Sequence, residues 1–411
     1  MEKKPELLAP AGNMAKLKVA FAFGADAVYL AGNMYGLRAM AANFTLAAIE
    51  EAVIYAHNLD KKVYVTVNIL ARNQDLSGIA EYLRNLATIN IDGLIIADPG
   101  IVLLAKEHAP KIEIHLSTQA SATNSAAFSF WKEQGVTRVV AAREMTLKEL
   151  QETGRACDVE IEAFVHGAMC MSYSGRCMLS SFMSKRSANL GACTHPCRWK
   201  YQLVEEQRPG EYLPVEEDEH GTYIFNTKDL CMLEHIPALV KAGIKSFKLE
   251  GRMKSEHYVA TVVNAYRRAL DAYFSAPDSY QLPQELLQEV AKVNDRDYCT
   301  GFYFGHPNAE DYNYDGYKNT TRQAVYGGLI TDVSSKAGFV LVEQRNKFSV
   351  GDTLELFTKD QPLITFIAEE ILALDGTELS SVPHPKQEVW LKVPVKPHLL
   401  AMIRKVELDE K

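Results

Sequence analysis

The sequence predicts an α/β protein with a (β/α)8 barrel of the TIM type, followed by a small C-terminal antiparallel β-barrel domain. From residue 6 to about residue 272, short apolar runs alternate with amphipathic helical segments, a pattern typical of parallel strands buried on both faces. Eight such units in about 270 residues fit a closed barrel better than an open doubly wound sheet. No Gly-x-Gly-x-x-Gly motif follows the first strand, which disfavours a Rossmann fold.

Each barrel strand is predicted from a short apolar run, and each helix from apolar residues that recur every three or four positions. The predicted barrel strands are 6–10, 27–31, 62–68, 93–98, 112–116, 138–141, 160–165 and 246–250. The helical patterns between them include 14–23, 46–56, 79–88, 101–108 and 147–153, and a further helix is expected near 229–242. These elements assign residues 1–304 to the barrel domain.

The pattern changes after residues 305–322, which are rich in Asn, Asp, Gly and Tyr and are predicted to be a linker. In residues 323–411, apolar residues alternate with a period of two and turn residues separate the runs, which predicts a small β-barrel domain. Its predicted strands are 325–333, 338–344, 353–357, 364–368 and 389–393.

The overall composition is that of a globular protein, and the chain is expected to be cytoplasmic. The net charge of −8 excludes a protein held to nucleic acid by its bulk charge, so that any RNA would need a local basic site. The first residues show no secretory signal pattern, and no run of about 18 apolar residues predicts a membrane span. In a reducing compartment, clustered cysteines indicate a metal site or catalysis in preference to disulfides.

Four of the seven cysteines fall in one long excursion, residues 166–221, after the seventh predicted strand. Their spacing is Cys170-x6-Cys177-x15-Cys193-x3-Cys197. Thiolates are soft ligands that suit zinc or an iron–sulfur cluster. Zinc sites usually have two to four residues between paired cysteines, so the six-residue gap favours iron–sulfur.

Two alternatives to this metal hypothesis stay open on the residues alone. The four thiols could be ordinary buried cysteines, since free cysteine is among the most buried residue types. They could also bind zinc. Cys157 and Cys299 stand alone in the sequence and are expected to be structural.

Polar residues just beyond the carboxyl ends of barrel strands are expected to surround the active site. Two candidates for general acid–base catalysis are His166 and Glu250. The candidates for substrate binding are Arg38, Asn68, Gln119, Arg143, Arg252 and Lys254, of which the cations could bind carboxylates or phosphates. The competing interpretation is a solvated charge or a salt bridge for each cation, and a structural role for the histidine.

Several long motifs resemble those of peptidase family U-32, the collagenase-like peptidases. The run EAFVHGAMCMSYSGRCMLS at 162–180 carries the strongest resemblance. The segments 6–12, 226–230, 248–254 and 346–352 are also similar to the family, so the resemblance spans nearly the whole chain.

This resemblance implies oxygen-independent hydroxylation with a [4Fe–4S] cluster, on tRNA wobble uridine, a ribosomal RNA cytidine or ubiquinone precursors. The two-domain layout and the run at 191–199 look most like the branch that forms 5-hydroxyuridine in tRNA with prephenate as co-substrate. The implied partner is therefore the anticodon loop of tRNA, while no redox partner is indicated. Relatives differ in the fourth ligand, and Cys197 is favoured over Cys231 because it shares the local run with Cys193.

Two other function classes compete with a hydroxylase. A collagenase-like peptidase would need an activated nucleophile or a metal-bound water, and the sequence has neither His-Glu-x-x-His nor Gly-x-Ser-x-Gly. The second alternative is a non-enzymatic, cluster-bearing scaffold that binds RNA.

Overall fold

The computed structural model describes most of the chain. The described residues are 3–36, 43–169, 179–184, 194, 203–204, 212–213, 216–218, 221–223, 228–294, 296–305, 324–333, 336–359 and 361–406. Arg38, Cys170, Cys177, Cys193 and Cys197 lie outside these residues, as does 306–322 of the predicted linker.

The strands and helices alternate along the first part of the chain, and strands dominate the last part. The strands are β1 (Glu6–Pro10), β2 (Ala27–Ala31), β3 (Lys62–Val67), β4 (Gly93–Ile96), β5 (Glu113–Leu116), β6 (Arg138–Val140), β7 (Glu160–Gly167), β8 (Leu203–Val204), β9 (Tyr212–Leu213), β10 (Glu216–Asp218), β11 (Gly221–Tyr223), β12 (Asp229–Cys231), β13 (Ser246–Leu249), β14 (Tyr298–Cys299), β15 (Ala324–Asp332), β16 (Phe339–Gln344), β17 (Phe348–Ser349), β18 (Thr353–Phe357), β19 (Ile364–Ile367), β20 (Ile371–Leu372), β21 (Ser381–Val382), β22 (Glu388–Lys392) and β23 (Met402–Val406). The helices are α1 (Met14–Ala22), α2 (Leu46–His57), α3 (Leu76–Ile89), α4 (Pro99–His108), α5 (Ser125–Glu133), α6 (Leu147–Ala156), α7 (Leu179–Ser184), α8 (Ile236–Lys241), α9 (Glu256–Ser275) and α10 (Gln284–Ala291).

Eight parallel strands close into the predicted barrel. Strands β1 to β7 pair in sequence order, and β13 pairs in parallel with both β7 and β1 to complete the ring. The strands are short and almost entirely buried, as expected where side chains fill the interior and helices cover the outside. The predicted fold class is confirmed.

Capping side chains fix the starts of most outer helices. The side chains that accept a hydrogen bond from the first turn belong to Asn13, Thr45, Asp98, Asn124, Thr146 and Ser255. Each cap satisfies a backbone N–H group that the first turn leaves unpaired. Asn13 and Asp98 follow β1 and β4 by only a few residues, so the loops between these strands and their helices are short.

The predicted helix near 229–242 is partly wrong. Asp229–Cys231 forms β12, and the helix begins only at Ile236. The segment is a strand because it pairs antiparallel with the end of β7 and parallel with β14, contacts that local periodicity does not reveal. Strand β7 also extends through Gly167, so that His166 and Gly167 belong to the strand and not to the excursion.

The C-terminal domain is a curled antiparallel sheet in the order β19-β18-β23-β15-β16-β22-β20. Strand β23, which lies between β18 and β15, was not predicted from the sequence, because Arg404 interrupts its apolar pattern. Arg404 is nevertheless fully buried, with its guanidinium 3.9 Å from the centre of the Phe357 ring and its Nη1 2.7 Å from Oε2 of Glu289 in the barrel domain. Phe357 stacks on Phe23 of the barrel, with ring centres 5.1 Å apart.

Of the helices in the described part of the chain, none combines the length and the apolar content that crossing a bilayer requires.

Candidate active site at the mouth of the barrel

A buried network of ion pairs fills the amino-terminal half of the barrel interior. The strand register places Glu6, Ser246 and Glu162 side by side on β1, β13 and β7. Arg138 crosses the interior and donates to Oε1 of Glu6 at 2.6 Å and to Oε2 of Glu162 at 3.2 Å. Lys248 donates from Nζ to Oε1 of Glu162 at 2.6 Å. Every buried charge in this network therefore has an opposite charge beside it, as burial requires.

Glu162 is ionised in this setting. Its side chain is completely buried, which alone would raise its pKa. The adjacent cations Lys248 and Arg138 outweigh that effect and lower the pKa of Glu162 to about 2. Burial lowers the pKa of Lys248, and the Glu162 carboxylate opposes that shift. The network thus presents a fixed ion pair to the space above it.

A cavity of about 110 Å³ lies above the network, at the carboxyl ends of the strands. This is the end of a TIM barrel at which active sites are found. The lining side chains come from strands and loops around most of the ring and are Tyr29, Thr66, Asn68, Ile95, Ser117, Thr118, Gln119, Arg143, Phe164, Lys248, Glu250 and Arg252.

The cavity brings together five of the residues that the sequence predicted for the site. These are Asn68, Gln119, Arg143, Glu250 and Arg252. The amide of Asn68 lies 3.5 Å from the Ser117 hydroxyl, and the guanidinium of Arg143 lies 4.1 Å from the centre of the Phe164 ring. The predicted roles of these residues in binding and catalysis remain predictions.

The loop that carries Arg252 is held by the first loop of the barrel. Nζ of Lys16 donates to the carbonyl oxygen of Arg252 at 3.2 Å. Gly12 permits this approach, because a Cβ at that position would collide with the same carbonyl oxygen. The Arg252 side chain is buried, so its guanidinium is oriented by its surroundings and not by solvent.

Glu250 is fixed against the end of β7, where the cysteine-rich segment begins. Its N–H donates to the carbonyl oxygen of His166 at 2.9 Å. Gly167 has a φ of +105°, and a Cβ there would lie 2.6 Å from the Glu250 carbonyl oxygen. Only glycine accommodates both the backbone conformation and the contact. Glu250 therefore packs against Gly167, which precedes the first clustered cysteine, Cys170, by three residues in the sequence.

His166 is buried among aromatic rings and is not one of the residues that line the cavity. Its ring centre lies 5.1 Å from that of Tyr298 and 5.5 Å from that of Tyr266, and its Nε2 is 3.4 Å from the Tyr298 hydroxyl. Burial, with a smaller contribution from Lys254, lowers the pKa of His166 to about 3. The imidazole is therefore neutral near pH 7 and has no proton to give as a cation.

The cations at the mouth are arranged differently from the prediction in one respect. Lys254 is only half-buried, its Nζ lies 5.3 Å from the centre of the Tyr258 ring, and it is not among the lining residues of the cavity. Lys248, which was predicted only as part of a strand, lines the cavity instead. The signal for it was present in the sequence, since a lysine in the middle of a fully buried strand needs a partner or a ligand.

Cys231 lies beside the strand that leads into the cysteine-rich segment. It is directly opposite His166 in the antiparallel pairing of β12 with β7. The Tyr266 hydroxyl is 4.0 Å from Sγ of Cys231, and burial raises the pKa of this thiol to about 11. Among the residues that the structure describes, no group of three or more His, Cys, Asp or Glu side chains is arranged to bind a metal ion. The four cysteines of the excursion are not among those residues.

Comparison with known proteins assigns the chain to a family. Residues 12–313 match peptidase family U32, and residues 322–404 match the peptidase family U32 C-terminal domain. The chain is 43% identical over 404 residues to tRNA hydroxylation protein P1 of Bacillus subtilis strain 168, which covers 98% of this chain and 95% of that protein. It is 39% identical over 432 residues to tRNA hydroxylation protein P of Escherichia coli K12, covering 95% and 94% of the two chains.

A third relative is named for a different RNA. The 23S rRNA 5-hydroxycytidine C2501 synthase of Escherichia coli K12 is 37% identical over 267 residues, which covers 65% of this chain and 39% of that protein. The two family matches together span both domains of the protein, and similarity to the first two relatives extends over nearly the full chain. The chain therefore belongs to peptidase family U32.

Proposed function

We propose that this protein is a tRNA-modifying hydroxylase that converts a wobble uridine of tRNA to 5-hydroxyuridine, with a [4Fe–4S] cluster, without molecular oxygen and with prephenate as co-substrate. Similarity over nearly the full chain to relatives named for tRNA hydroxylation supports the reaction class. The structural observation that carries the proposal is the cavity at the barrel mouth. Arg143, Lys248 and Arg252 line it, and its lining residue Glu250 contacts the end of β7, after which the cysteine-rich segment follows in the sequence.

The charges of the cavity suit a carboxylate-bearing co-substrate. Arg143 and Arg252 line it, and Glu250 is the acidic side chain among its lining residues. Guanidinium groups bind carboxylates through paired, charge-assisted hydrogen bonds. The amides of Asn68 and Gln119 can orient the remaining polar atoms of the bound molecule.

The residues near the cavity are compatible with a thiolate-bound cluster. Cys170, Cys177 and Cys193 would supply three ligands, and Cys197 or Cys231 the fourth. His166 has no hydrogen-bond partner for its Nδ1 among the described residues, so this buried nitrogen is available to a group contributed by the cysteine-rich segment. The position of Cys231 opposite His166 supports it as the alternative fourth ligand. When bound, a [4Fe–4S] cluster supplies electron-transfer chemistry.

In this proposal the residues of the chain bind and orient the co-substrate and the uridine. Arg143 and Arg252 bind the co-substrate carboxylate, and Glu250 is the candidate proton acceptor. The uridine enters from the loop side of the mouth, and extruding a base is least costly when it already lies in a single-stranded loop. His166 is assigned to packing and orientation, because its lowered pKa leaves it neutral.

A ribosomal RNA cytidine is a second candidate substrate. The similarity to the 23S rRNA 5-hydroxycytidine C2501 synthase supports it, although that match covers only the barrel-sized part of the chain. Both candidate reactions hydroxylate a pyrimidine ring in RNA. Nucleoside analysis of tRNA and of rRNA distinguishes them, because the modified base lies in a different RNA in each case.

The test is mass spectrometry of nucleosides from tRNA and from 23S rRNA in a strain that lacks this protein and every paralogue. We expect 5-hydroxyuridine derivatives to disappear from tRNA and to return when the gene is restored. Loss of 5-hydroxycytidine from rRNA, with tRNA unchanged, would assign the second substrate. Unchanged nucleosides in both RNAs, together with peptide cleavage by the purified protein, would support the peptidase alternative.

A further inference from the structure

Lys248 is a buried cation at the floor of the cavity. Its residue exposure is 4%, and its side chain lines the cavity. Nζ donates to Oε1 of Glu162 at 2.6 Å and lies 4.6 Å and 5.4 Å from the ring centres of Tyr29 and Phe164. The strand register sets this position, because Lys248 lies two residues further toward the mouth than Ser246, which joins the ion network below.

The contacts of Lys248 leave donor capacity unused. An ammonium group has three N–H donors, and Glu162 is its hydrogen-bond acceptor among the described residues. The two aromatic rings offer only cation–π contacts, which are weaker than a charged hydrogen bond. A buried ammonium that borders a cavity is therefore stabilised by an acceptor placed in that cavity.

The other residues around Lys248 indicate what the acceptor is. Arg143 and Arg252 line the same cavity, and Glu250 is the carboxylate among its described lining residues. Glu162 is shared with Arg138 and lies below Lys248, within the ion network. A volume of about 110 Å³ suits a small anionic group more than a nucleobase with its sugar.

We propose that Lys248 is a ligand-binding residue that donates a hydrogen bond to a carboxylate of the co-substrate, together with Arg143 and Arg252. Lys248 thus has the substrate-binding role that the sequence predicted for Lys254. Glu162 is a positioning residue, since it holds the Lys248 ammonium at the cavity floor from below. The inference deepens the proposed function and rests on it only for the co-substrate being a carboxylate.

The test separates a binding role from simple charge balance. In Lys248→Met/Glu162→Gln, both members of the buried pair become neutral groups of similar size. Arg138, which also donates to Glu162, keeps its ion pairs with Glu6 and Glu160. If Lys248 only neutralised Glu162, this double variant would behave like the unaltered protein. Lys248→Gln, measured alongside, can keep a hydrogen bond to Glu162 without the cation, and it answers the question if the double variant does not fold. The matched control is Lys405→Met/Asp352→Asn, which removes an ion pair (2.8 Å) within the C-terminal domain.

The first measurement is calorimetric titration of each full-length protein with malonate, a small dicarboxylate, after circular dichroism has shown that each is folded. We expect the unaltered protein and the control to bind malonate, and both Lys248 variants to bind it roughly tenfold to a hundredfold more weakly. Equal affinity in the Lys248 variants would overturn the proposal. So would a failure of the unaltered protein to bind malonate.

The second measurement is the level of 5-hydroxyuridine derivatives in tRNA from a deletion strain that carries each variant. Loss of the nucleoside in the Lys248 variants but not in the control supports the proposal. Lys248-dependent malonate binding with no tRNA nucleoside restored by the unaltered gene would contradict the proposed function and leave the binding role of Lys248 standing. Full restoration by the double variant would overturn the binding role and leave the proposed function standing.

Discussion

Glu256 of the barrel accepts two hydrogen bonds from Arg345 of the C-terminal domain, at 3.2 Å from Nε and 3.1 Å from Nη2. Glu256 is the first residue of α9 and follows Lys254 by two positions. The Tyr326 hydroxyl donates to the same carboxylate oxygen at 3.1 Å. The C-terminal domain therefore holds the start of the helix that follows the loop carrying Arg252, which gives it a structural connection to the active site.

Replacing Arg345 with Gln should destabilise the protein. The change leaves the Glu256 carboxylate, whose side chain is only 12% exposed, without its cationic partner. We expect the free energy of unfolding, measured by urea denaturation, to fall by about 1–2 kcal/mol. The exposed pair of Lys148 and Glu152 on α6 gives the control, and Lys148→Gln should change stability by less than about 0.5 kcal/mol. Equal effects of the two variants would contradict the interpretation.

The cysteine-rich segment should bind a cluster. Protein purified without oxygen is expected to contain about four irons and four sulfides per chain, with broad absorbance near about 400 nm. Cys170→Ala, Cys177→Ala and Cys193→Ala should each lose iron and absorbance. Cys157→Ala and Cys299→Ala, at isolated cysteines, should retain both. Stoichiometric zinc without iron after anaerobic reconstitution would exclude the cluster.

The fourth ligand can be identified with one pair of variants. The local run predicts that Cys197→Ala loses the cluster and that Cys231→Ala keeps most of it. The measurement is iron content per chain with the absorbance spectrum. The reverse outcome would assign the fourth ligand to Cys231, which lies opposite His166 at the end of β7.

Truncating Arg252 should abolish activity without removing the cluster. Arg252 is buried and lines the cavity, and loss of a charged hydrogen bond to a ligand costs about 1.5–3 kcal/mol. That cost corresponds to roughly tenfold to a hundredfold weaker binding. Arg252→Ala is therefore expected to leave tRNA without 5-hydroxyuridine derivatives in a complementation assay while retaining full iron content. Arg155→Ala, at an exposed position on α6, is the control. Full activity in Arg252→Ala would place the binding pocket elsewhere.

The Glu162 ion pair should make stability depend on pH in the acid range. The pKa of Glu162 falls from its ordinary value of 4.5 to about 2 on folding. Its contribution to stability is therefore fully present above pH 4.5 and is lost as the pH falls toward 2, by up to about 1.4 kcal/mol per pH unit. Urea denaturation at pH 4.5 and pH 3 should show a larger loss in the unaltered protein than in Lys248→Met/Glu162→Gln. Parallel losses in the two proteins would show that folding does not lower the pKa of Glu162.

The sequence alone determined the barrel and the positions of its strands. Apolar runs such as 27–31 and 62–68 record the burial of each strand locally, so their alternation with helices predicted both the fold and the mouth where polar residues gather. The same logic predicted that residues such as Asn68 and Arg252 follow strand ends, and the structure places both at one cavity.

The tertiary structure decided which side chains share that cavity and which are neutral. Lys248 and Lys254 are six residues apart in one motif, yet only Lys248 lines the cavity, because strand register and the turn after β13 set the direction of each side chain. His166 is neutral because tyrosines from α9 and β14 surround it. The direction of a side chain and its degree of burial depend on contacts between residues far apart in the chain. The local pattern of apolar residues does not predict those contacts.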